Sequence, residues 1–109
     1  KLKRIGSAEI DFEAGFIQRD SDEKHKLTDF QRALLRVLIA HQGSAVSRKR
    51  LIREALNLES RAYLVDLTLQ SLIGVLDEQI DALREYIEPD PERPVYIRRV
   101  FGQGYRLQD

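Results

Sequence analysis

The chain has 109 residues, a formal net charge of zero and no cysteine. This length suits one domain with a single hydrophobic core. The lack of cysteine excludes a disulfide framework, a thiolate zinc site and a cysteine nucleophile, and the balanced charge argues against a globally basic nucleic-acid binder while leaving room for a local basic patch. No apolar run has the length of a membrane span and no signal-peptide pattern opens the chain, so we expect a cytoplasmic domain without a membrane partner.

The N-terminal quarter, residues 1–27, has the pattern of short strands and turns. Residues 8–12 alternate apolar and polar side chains, and residues 16–19 fit a partner strand after a turn at 13–15. Residues 25–27 fit one more short strand. The sequence therefore predicts a small antiparallel sheet before the first helix.

Two helices with capping signals follow. Thr28 is a good N-cap, and Gln31 stands three residues later, as a capping box requires. Gly43 stands where a helix of this length would end. Ser47 is the N-cap of a second helix, which we expect to run from Arg48 to about Leu56.

The second helix carries the densest basic patch of the chain: Arg48, Lys49, Arg50 and Arg53. A solvated helix surface is one explanation. However, cations near a helix N-terminus oppose the helix macrodipole, so helix stability gives no reason for their position. The pattern therefore favours phosphate binding slightly over a purely solvated surface.

Residues 61–88 form the longest periodic stretch, with apolar residues at steps of three and four. These are Val65, Leu69, Leu72, Leu76, Ile80, Leu83 and Ile87. Leu64, Ile73 and Val75 widen the stripe, so the first half is expected to be buried in the core or in a partner. Gly74 is a weak helix former that marks either a break between two helices or a face that needs room. Pro89 and Pro91 end the helix, which closes a helical core over residues 28–88.

A terminal β-hairpin is predicted over residues 95–107. Residues 95–100 fit a strand, residues 101–104 a turn, and residues 105–107 the returning strand. Gly102 and Gly104 in the turn permit unusual backbone angles and a close approach to a surface.

These elements have the outline of a winged helix-turn-helix, and the residues resemble the OmpR/PhoB-type effector domains of bacterial response regulators. Residues 26–35 resemble the family's first-helix signature, residues 43–52 the start of its second helix, and residues 90–107 its wing, almost residue for residue. The resemblance implies one α+β domain over residues 1–109, with an N-terminal sheet, a three-helix core whose third helix is lengthened, and a hairpin wing.

The function implied by the resemblance is that of a DNA-binding transcription regulator domain, the output domain of a two-component response regulator. Its third helix would enter the major groove of double-stranded DNA, and its wing would touch the adjacent minor groove or backbone. RNA polymerase, a second copy of the chain and a receiver domain missing from this sequence are the further partners implied. No cofactor and no metal ion are expected.

The register of the third helix is open because two segments match the V-D-V-x-I core of the family. Residues 65–69 match when counted from Ser47, and residues 76–80 match when counted back from the wing. Both counts hold only with an insertion of about a dozen residues, roughly three helical turns. The second register leaves Asp77, Glu78 and Asp81 on the reading surface, where they would repel DNA.

Candidate contacts follow from the resemblance and from the basic patch. The phosphate-binding candidates are Arg48, Lys49, Arg50, Arg61, Arg98, Arg99 and Arg106. The candidates for base reading or groove contact are Thr68, Gln70, Ser71, Phe101 and Gln103. Arg98 and Arg99 are neighbours on a strand, so one of the two will point away from the DNA.

Two other classes of function compete with DNA binding. In the first, the winged helix has lost DNA binding and serves protein–protein interaction or dimerisation through the long third helix, as its acidic face and the zero net charge suggest. In the second, the domain is an enzyme, which the sequence disfavours. His25 and His41 are far apart in the chain, and no phosphate loop, carboxylate pair or metal-ligand spacing stands out.

Overall fold

In the computed structural model, an antiparallel sheet precedes three helices and a C-terminal hairpin. The structure describes residues 2–58 and 62–109, without the side chains of residues 62–66. The sheet contains β1 (Leu2–Ile5), β2 (Ala8–Asp11), β3 (Phe16–Arg19) and β4 (His25–Lys26). The helices are α1 (Asp29–Ala40), α2 (Arg48–Ala55) and α3 (Ala62–Ile87), and the hairpin consists of β5 (Ile97–Val100) and β6 (Gly104–Leu107). The predicted α+β winged helix-turn-helix is confirmed.

The N-terminal sheet has four strands in the order β1-β2-β3-β4, each antiparallel to its neighbour. Ile10 pairs with Ile17, and Ile5 pairs with Ala8. All four side chains are fully buried, while the residues between them are more exposed, so one face of the sheet covers the helices. β1 was not predicted as a separate strand, because its four residues alternate too weakly between apolar and polar side chains.

The capping signals of α1 and α2 form the expected hydrogen bonds. The Thr28 hydroxyl accepts from the Gln31 N–H at 3.1 Å, and the Gln31 side-chain oxygen accepts from the Thr28 N–H at 3.0 Å. Ser47 Oγ accepts from the Arg50 N–H at 3.1 Å. Gly43 follows the end of α1 with φ +89°, and its N–H donates to the Leu107 carbonyl at 2.9 Å, which ties the helix end to the hairpin.

The third helix is continuous over 26 residues, so the alternative of a break near Gly74 is wrong. At 1.5 Å per residue, α3 is about 39 Å long. Its stripe is buried at Leu69, Leu76, Ile80, Leu83 and Ile87. In the first half of α3, Leu69 is fully buried, whereas Val75 is 40% exposed and Leu67 is 52% exposed. This half is therefore only partly buried within the chain, and its burial in a partner stays a prediction.

A buried carboxylate joins the end of α3 to the hairpin. Glu88 is fully buried. Its side-chain oxygens accept the backbone N–H groups of Val95 at 2.7 Å, Tyr96 at 3.1 Å and Ile97 at 2.7 Å. The Arg19 guanidinium donates to the Glu88 carbonyl, so the same residue also binds the N-terminal sheet. Glu88 therefore fixes where the hairpin begins.

The hairpin packs against the loop before α2. Val46 and Tyr105 exchange two backbone hydrogen bonds, of 2.8 and 3.0 Å. Gly104 adopts φ +117°, and a Cβ atom there would lie 2.0 Å from the Val46 carbonyl oxygen. Only glycine allows this close approach, which places the hairpin turn beside the start of α2.

Candidate nucleic-acid interface

An open cleft of about 290 Å³ lies where the hairpin turn, the N-terminus of α2 and the middle of α3 meet. Its lining combines basic side chains with the glycines of the turn. The lining residues are Ser47, Arg48, Lys49, Ile73, Arg99, Gly102, Gln103 and Gly104. The cleft therefore joins the three elements to which the family resemblance assigns DNA contacts.

Asp77 connects these three elements. Arg48 Nη1 of α2 donates to Asp77 Oδ2 at 2.8 Å, and the Tyr105 hydroxyl of β6 donates to Asp77 Oδ1 at 2.7 Å. Burial, followed by the hydrogen bond to Asp77, raises the pKa of Tyr105 to about 12. The ion pair partly neutralises Arg48, whose side chain is 32% exposed. Arg48 thus has a structural contact in addition to its predicted phosphate contact.

Two of the basic side chains of α2 differ in their surroundings. Lys49 lines the cleft. Arg50 Nε instead donates to Glu54 Oε2 at 2.5 Å, and Glu54 also lies 3.2 Å from His41 Nε2. The hydrogen bond from Arg50 lowers the pKa of Glu54, against the opposing effect of burial. Lys49 lines the cleft and Arg50 does not, so Lys49 is the better placed of the two for a ligand there.

The wing arginines lie on two faces of the hairpin. Arg99 pairs with Tyr105 across the strands, and its guanidinium carbon lies 5.5 Å from the centre of the tyrosine ring, at the cleft. Arg98 pairs with Arg106, and Arg106 Nη2 donates to the Gln108 side chain at 3.2 Å. Paired residues share a face, so Arg98 and Arg106 lie away from Arg99. Arg61, the remaining phosphate candidate, lies outside the described residues.

The base-reading candidates on α3 precede the cleft by about one helical turn. Thr68, Gln70 and Ser71 are exposed, and the Ser71 hydroxyl donates to the Thr68 carbonyl at 2.9 Å. On the hairpin turn, Gln103 lines the cleft and Phe101 is 97% exposed. Of these five candidates, Gln103 lines the cleft, whereas Thr68, Gln70, Ser71 and Phe101 lie outside its lining.

The wing packs against the part of α3 that contains residues 76–80, the segment that defines the second register. Arg84 Nη2 and Nε donate to the Ile97 carbonyl at 2.9 and 3.1 Å, and Tyr105 contacts Asp77. Residues 76–80 are thus the segment beside the hairpin, and the additional turns of α3 lie on its N-terminal side. We name the exposed acidic residues of this part of the helix, Glu78, Asp81 and Glu85, the acidic ridge.

Sequence reasoning missed two residues that position the cleft, Asp77 as a connecting residue and Glu88 as the hairpin anchor. For Glu88 one signal was present, because an acidic residue at a helix C-terminus opposes the macrodipole and calls for another explanation. Within the described part of the chain, no group of three histidine, aspartate or glutamate side chains could hold a metal ion. No described helix is both long and apolar enough to cross a membrane.

The N-terminal sheet covers a three-helix core, and the hairpin wing packs on the long third helix. This arrangement is a winged helix-turn-helix of the transcription-regulator class. The family model described as "Transcriptional regulatory protein, C terminal" matches residues 22–107. The chain belongs to this family and is a winged-helix domain of the OmpR/PhoB type, as the resemblance predicted.

Two curated proteins are similar to most of this chain. Protein PetR of Rhodobacter capsulatus is 34% identical over 109 residues, which are 98% of this chain and 43% of PetR. The DNA-binding dual master transcriptional regulator RpaA of Synechocystis is 32% identical over 83 residues, 76% of this chain and 31% of RpaA. The chain therefore spans less than half the length of these relatives.

Solved structures share the fold over almost the whole chain. The response regulator DrrB, a Thermotoga maritima OmpR/PhoB homolog, has a TM-score of 0.72 and 25% identity, over 99% of this chain and 44% of DrrB. The RstA DNA-binding domain of Klebsiella pneumoniae, solved in complex with the RstA box, has a TM-score of 0.71 and 20% identity, over 99% of this chain and 97% of that chain.

Proposed function

We propose that this domain binds double-stranded DNA and serves as the output domain of a response regulator. The observation that carries the proposal is the cleft in which the start of α2, the wing turn and α3 present Lys49 and Arg99 together. The RstA domain, which has the same fold, was solved bound to DNA. A receiver domain elsewhere in the protein, contact with RNA polymerase, homodimerisation and a cytoplasmic location belong to the same proposal.

The cleft suits a phosphate group of the DNA backbone. The first backbone N–H groups of a helix have no partner within the helix, and together with the macrodipole they favour an anion at its N-terminus. Lys49 adds a positive charge at this end of α2, and Arg99 adds one from the wing. Phosphate contacts of this kind supply much of the affinity of a DNA-binding protein and make it dependent on salt.

Base reading is assigned to the part of α3 next to the cleft. Gln70 and Ser71 are exposed and uncharged, and a glutamine side chain can form two hydrogen bonds with an adenine in the major groove. The Ser71 hydroxyl already donates to the helix backbone, but its oxygen still has acceptor capacity. Gln103 extends the same polar surface from the wing turn.

The acidic ridge opposes DNA binding. Glu78, Asp81 and Glu85 are exposed on α3, and Asp81 is partly compensated by Arg84 Nη1 at 3.1 Å. Repulsion between carboxylates and nearby phosphates opposes binding, and salt screens this repulsion. We therefore expect the neutral segment around Gln70, rather than the ridge, to enter the groove.

A second candidate function is protein–protein interaction, and the acidic ridge is the observation that favours it. A winged helix with this surface would accept a partner with a basic docking surface instead of DNA. The two candidates differ in their response to duplex DNA, which the following experiment measures.

The test is fluorescence anisotropy with a labelled random-sequence duplex. Lys49→Ala and Arg99→Gln should each weaken binding. Each should also make the negative slope of log K against log salt less steep, by about 1 per lost phosphate contact. Lys24→Ala is the matched control, since Lys24 is an exposed lysine between β3 and β4 and should leave binding unchanged. Equal binding by Lys49→Ala, Arg99→Gln and the control would refute the phosphate site.

A further inference from the structure

The wing presents an aromatic ring that the fold itself does not use. Phe101 is 97% exposed, whereas the other exposed large hydrophobic side chains of the described residues range from 40% to 57%. A phenylalanine ring normally contributes to stability by burial, so a ring left entirely in water adds nothing to the fold. Its position at the tip of the hairpin indicates that the ring contacts a ligand.

The hairpin holds this ring at a defined place. The Gln103 N–H donates to the Val100 carbonyl at 2.9 Å and closes the turn around Phe101. Two backbone hydrogen bonds between Tyr105 and Val46 fix the hairpin to the core, and Gly104 lies against the Val46 carbonyl. The ring is therefore presented on an anchored turn rather than on a free loop, which lowers the entropy lost on binding.

The surroundings of the ring fit the minor groove of DNA. Arg98 and Arg99 immediately precede Val100 on β5, and both are exposed, so positive charges lie within a few residues of the apolar tip. Gly102, with φ +74°, adds no side chain next to the ring. An apolar wedge flanked by cations is the combination with which proteins enter a minor groove and partly separate two base pairs.

We propose that Phe101 is a minor-groove wedge that inserts at one base-pair step and bends the duplex. This inference rests on the DNA binding proposed above and adds a mechanism of sequence selection to it. Because pyrimidine–purine steps unstack most easily, the site under the wing should favour TA or CA/TG steps even without hydrogen bonds to their bases. Selection by deformability would complement the few polar groups that α3 offers for direct reading.

The experiment uses a duplex selected from a random library for binding to the wild-type chain. Versions of this duplex carry 2-aminopurine at one base-pair step each. Binding of the wild-type protein should increase the fluorescence at one step and leave it unchanged at the others. Energy transfer between dyes at the two ends of the duplex should report a bend of about 20–90°. Phe101→Ser should abolish both signals and weaken binding about tenfold, while Phe101→Leu, still an apolar wedge, should retain most of both.

The outcomes separate the two proposals. If Phe101→Ser binds, bends and unstacks the duplex as the wild type does, the wedge is refuted while DNA binding stands. If the wild type binds no duplex at low salt, the proposed function fails and the wedge fails with it. Because Phe101 is exposed, the thermal midpoint should be the same in all variants, which shows that the differences do not come from unfolding.

Discussion

The Tyr105 hydroxyl donates a hydrogen bond to the Asp77 carboxylate at 2.7 Å, and this contact joins the wing to the third helix. The same carboxylate accepts from Arg48 at 2.8 Å. One aspartate thus sets the relative positions of the start of α2, the middle of α3 and the wing. Together with the Val46–Tyr105 backbone hydrogen bonds, this side chain therefore determines the shape of the cleft.

Burial of Tyr105, together with its hydrogen bond to Asp77, makes the domain sensitive to alkaline pH. The folded-state pKa of Tyr105 is about 12, above the ordinary tyrosine value of 10, so between these values the folded state keeps a proton that the unfolded state loses. Stability from this group is complete below pH 10 and is lost as pH rises to 12. Urea unfolding at several pH values should show this loss in the wild type. Tyr105→Phe should lack this contribution and be about 1 kcal/mol less stable at pH 8. The same pH dependence in both proteins would contradict the assignment.

Glu88→Gln should destabilise the domain by about 2–3 kcal/mol. The carboxylate accepts three backbone N–H groups in a fully buried position, and an amide offers only one oxygen, leaving buried donors without a partner. Chemical denaturation followed by circular dichroism measures the change. Glu92→Gln provides the matched control on the exposed connector and should change stability by less than about 0.5 kcal/mol. A loss in Glu88→Gln no larger than in the control would contradict the anchoring role.

Two glycine-to-alanine changes should act in opposite directions. A Cβ at Gly74 would meet nothing within 4 Å, so Gly74→Ala should stabilise the helix by about 0.5–1 kcal/mol. A Cβ at Gly104 would lie 2.0 Å from the Val46 carbonyl oxygen, with φ at +117°, so Gly104→Ala should destabilise the domain by more than about 1 kcal/mol. Thermal unfolding of the two variants side by side measures both effects. Stabilisation by both substitutions would mean that the wing does not approach Val46 as closely as described.

Glu78→Gln should increase the affinity for random-sequence duplex DNA a few-fold at low salt. The carboxylate is exposed on the acidic ridge, and its removal lowers repulsion of the phosphates. Glu13→Gln, in the turn between β2 and β3, removes the same charge from an exposed position outside α3 and should have a smaller effect. A weaker affinity in Glu78→Gln would show that the carboxylate makes a favourable contact, such as one to a cytosine amino group.

Local patterns predicted the elements well. The hydrogen bonds of Thr28 and Gln31 lie within four residues of each other, so the sequence displays them directly. The apolar period of α3 likewise indicates its buried face. By contrast, the residues of β1, Leu2–Ile5, do not alternate between apolar and polar side chains, and Gly74 left the continuity of α3 open.

The contacts that build the site were beyond sequence reasoning. Arg48 and Asp77 are 29 residues apart and Asp77 and Tyr105 are 28 apart, so only the fold brings them together. Arg48 was predicted to bind phosphate from its position on α2, but the sequence did not show that Asp77 already neutralises part of its charge. Likewise, the outer position of Arg98 and the cleft position of Arg99 depend on which hairpin face meets the core.

The most direct test of DNA binding is the salt dependence of wild-type binding to a random-sequence duplex, measured by fluorescence anisotropy from low to physiological salt. We expect clear binding at low salt and a linear fall of log K with log salt, with a slope of about −0.9 for each phosphate neutralised. The absence of binding at low salt would contradict the proposed function and would assign the acidic ridge to a protein partner.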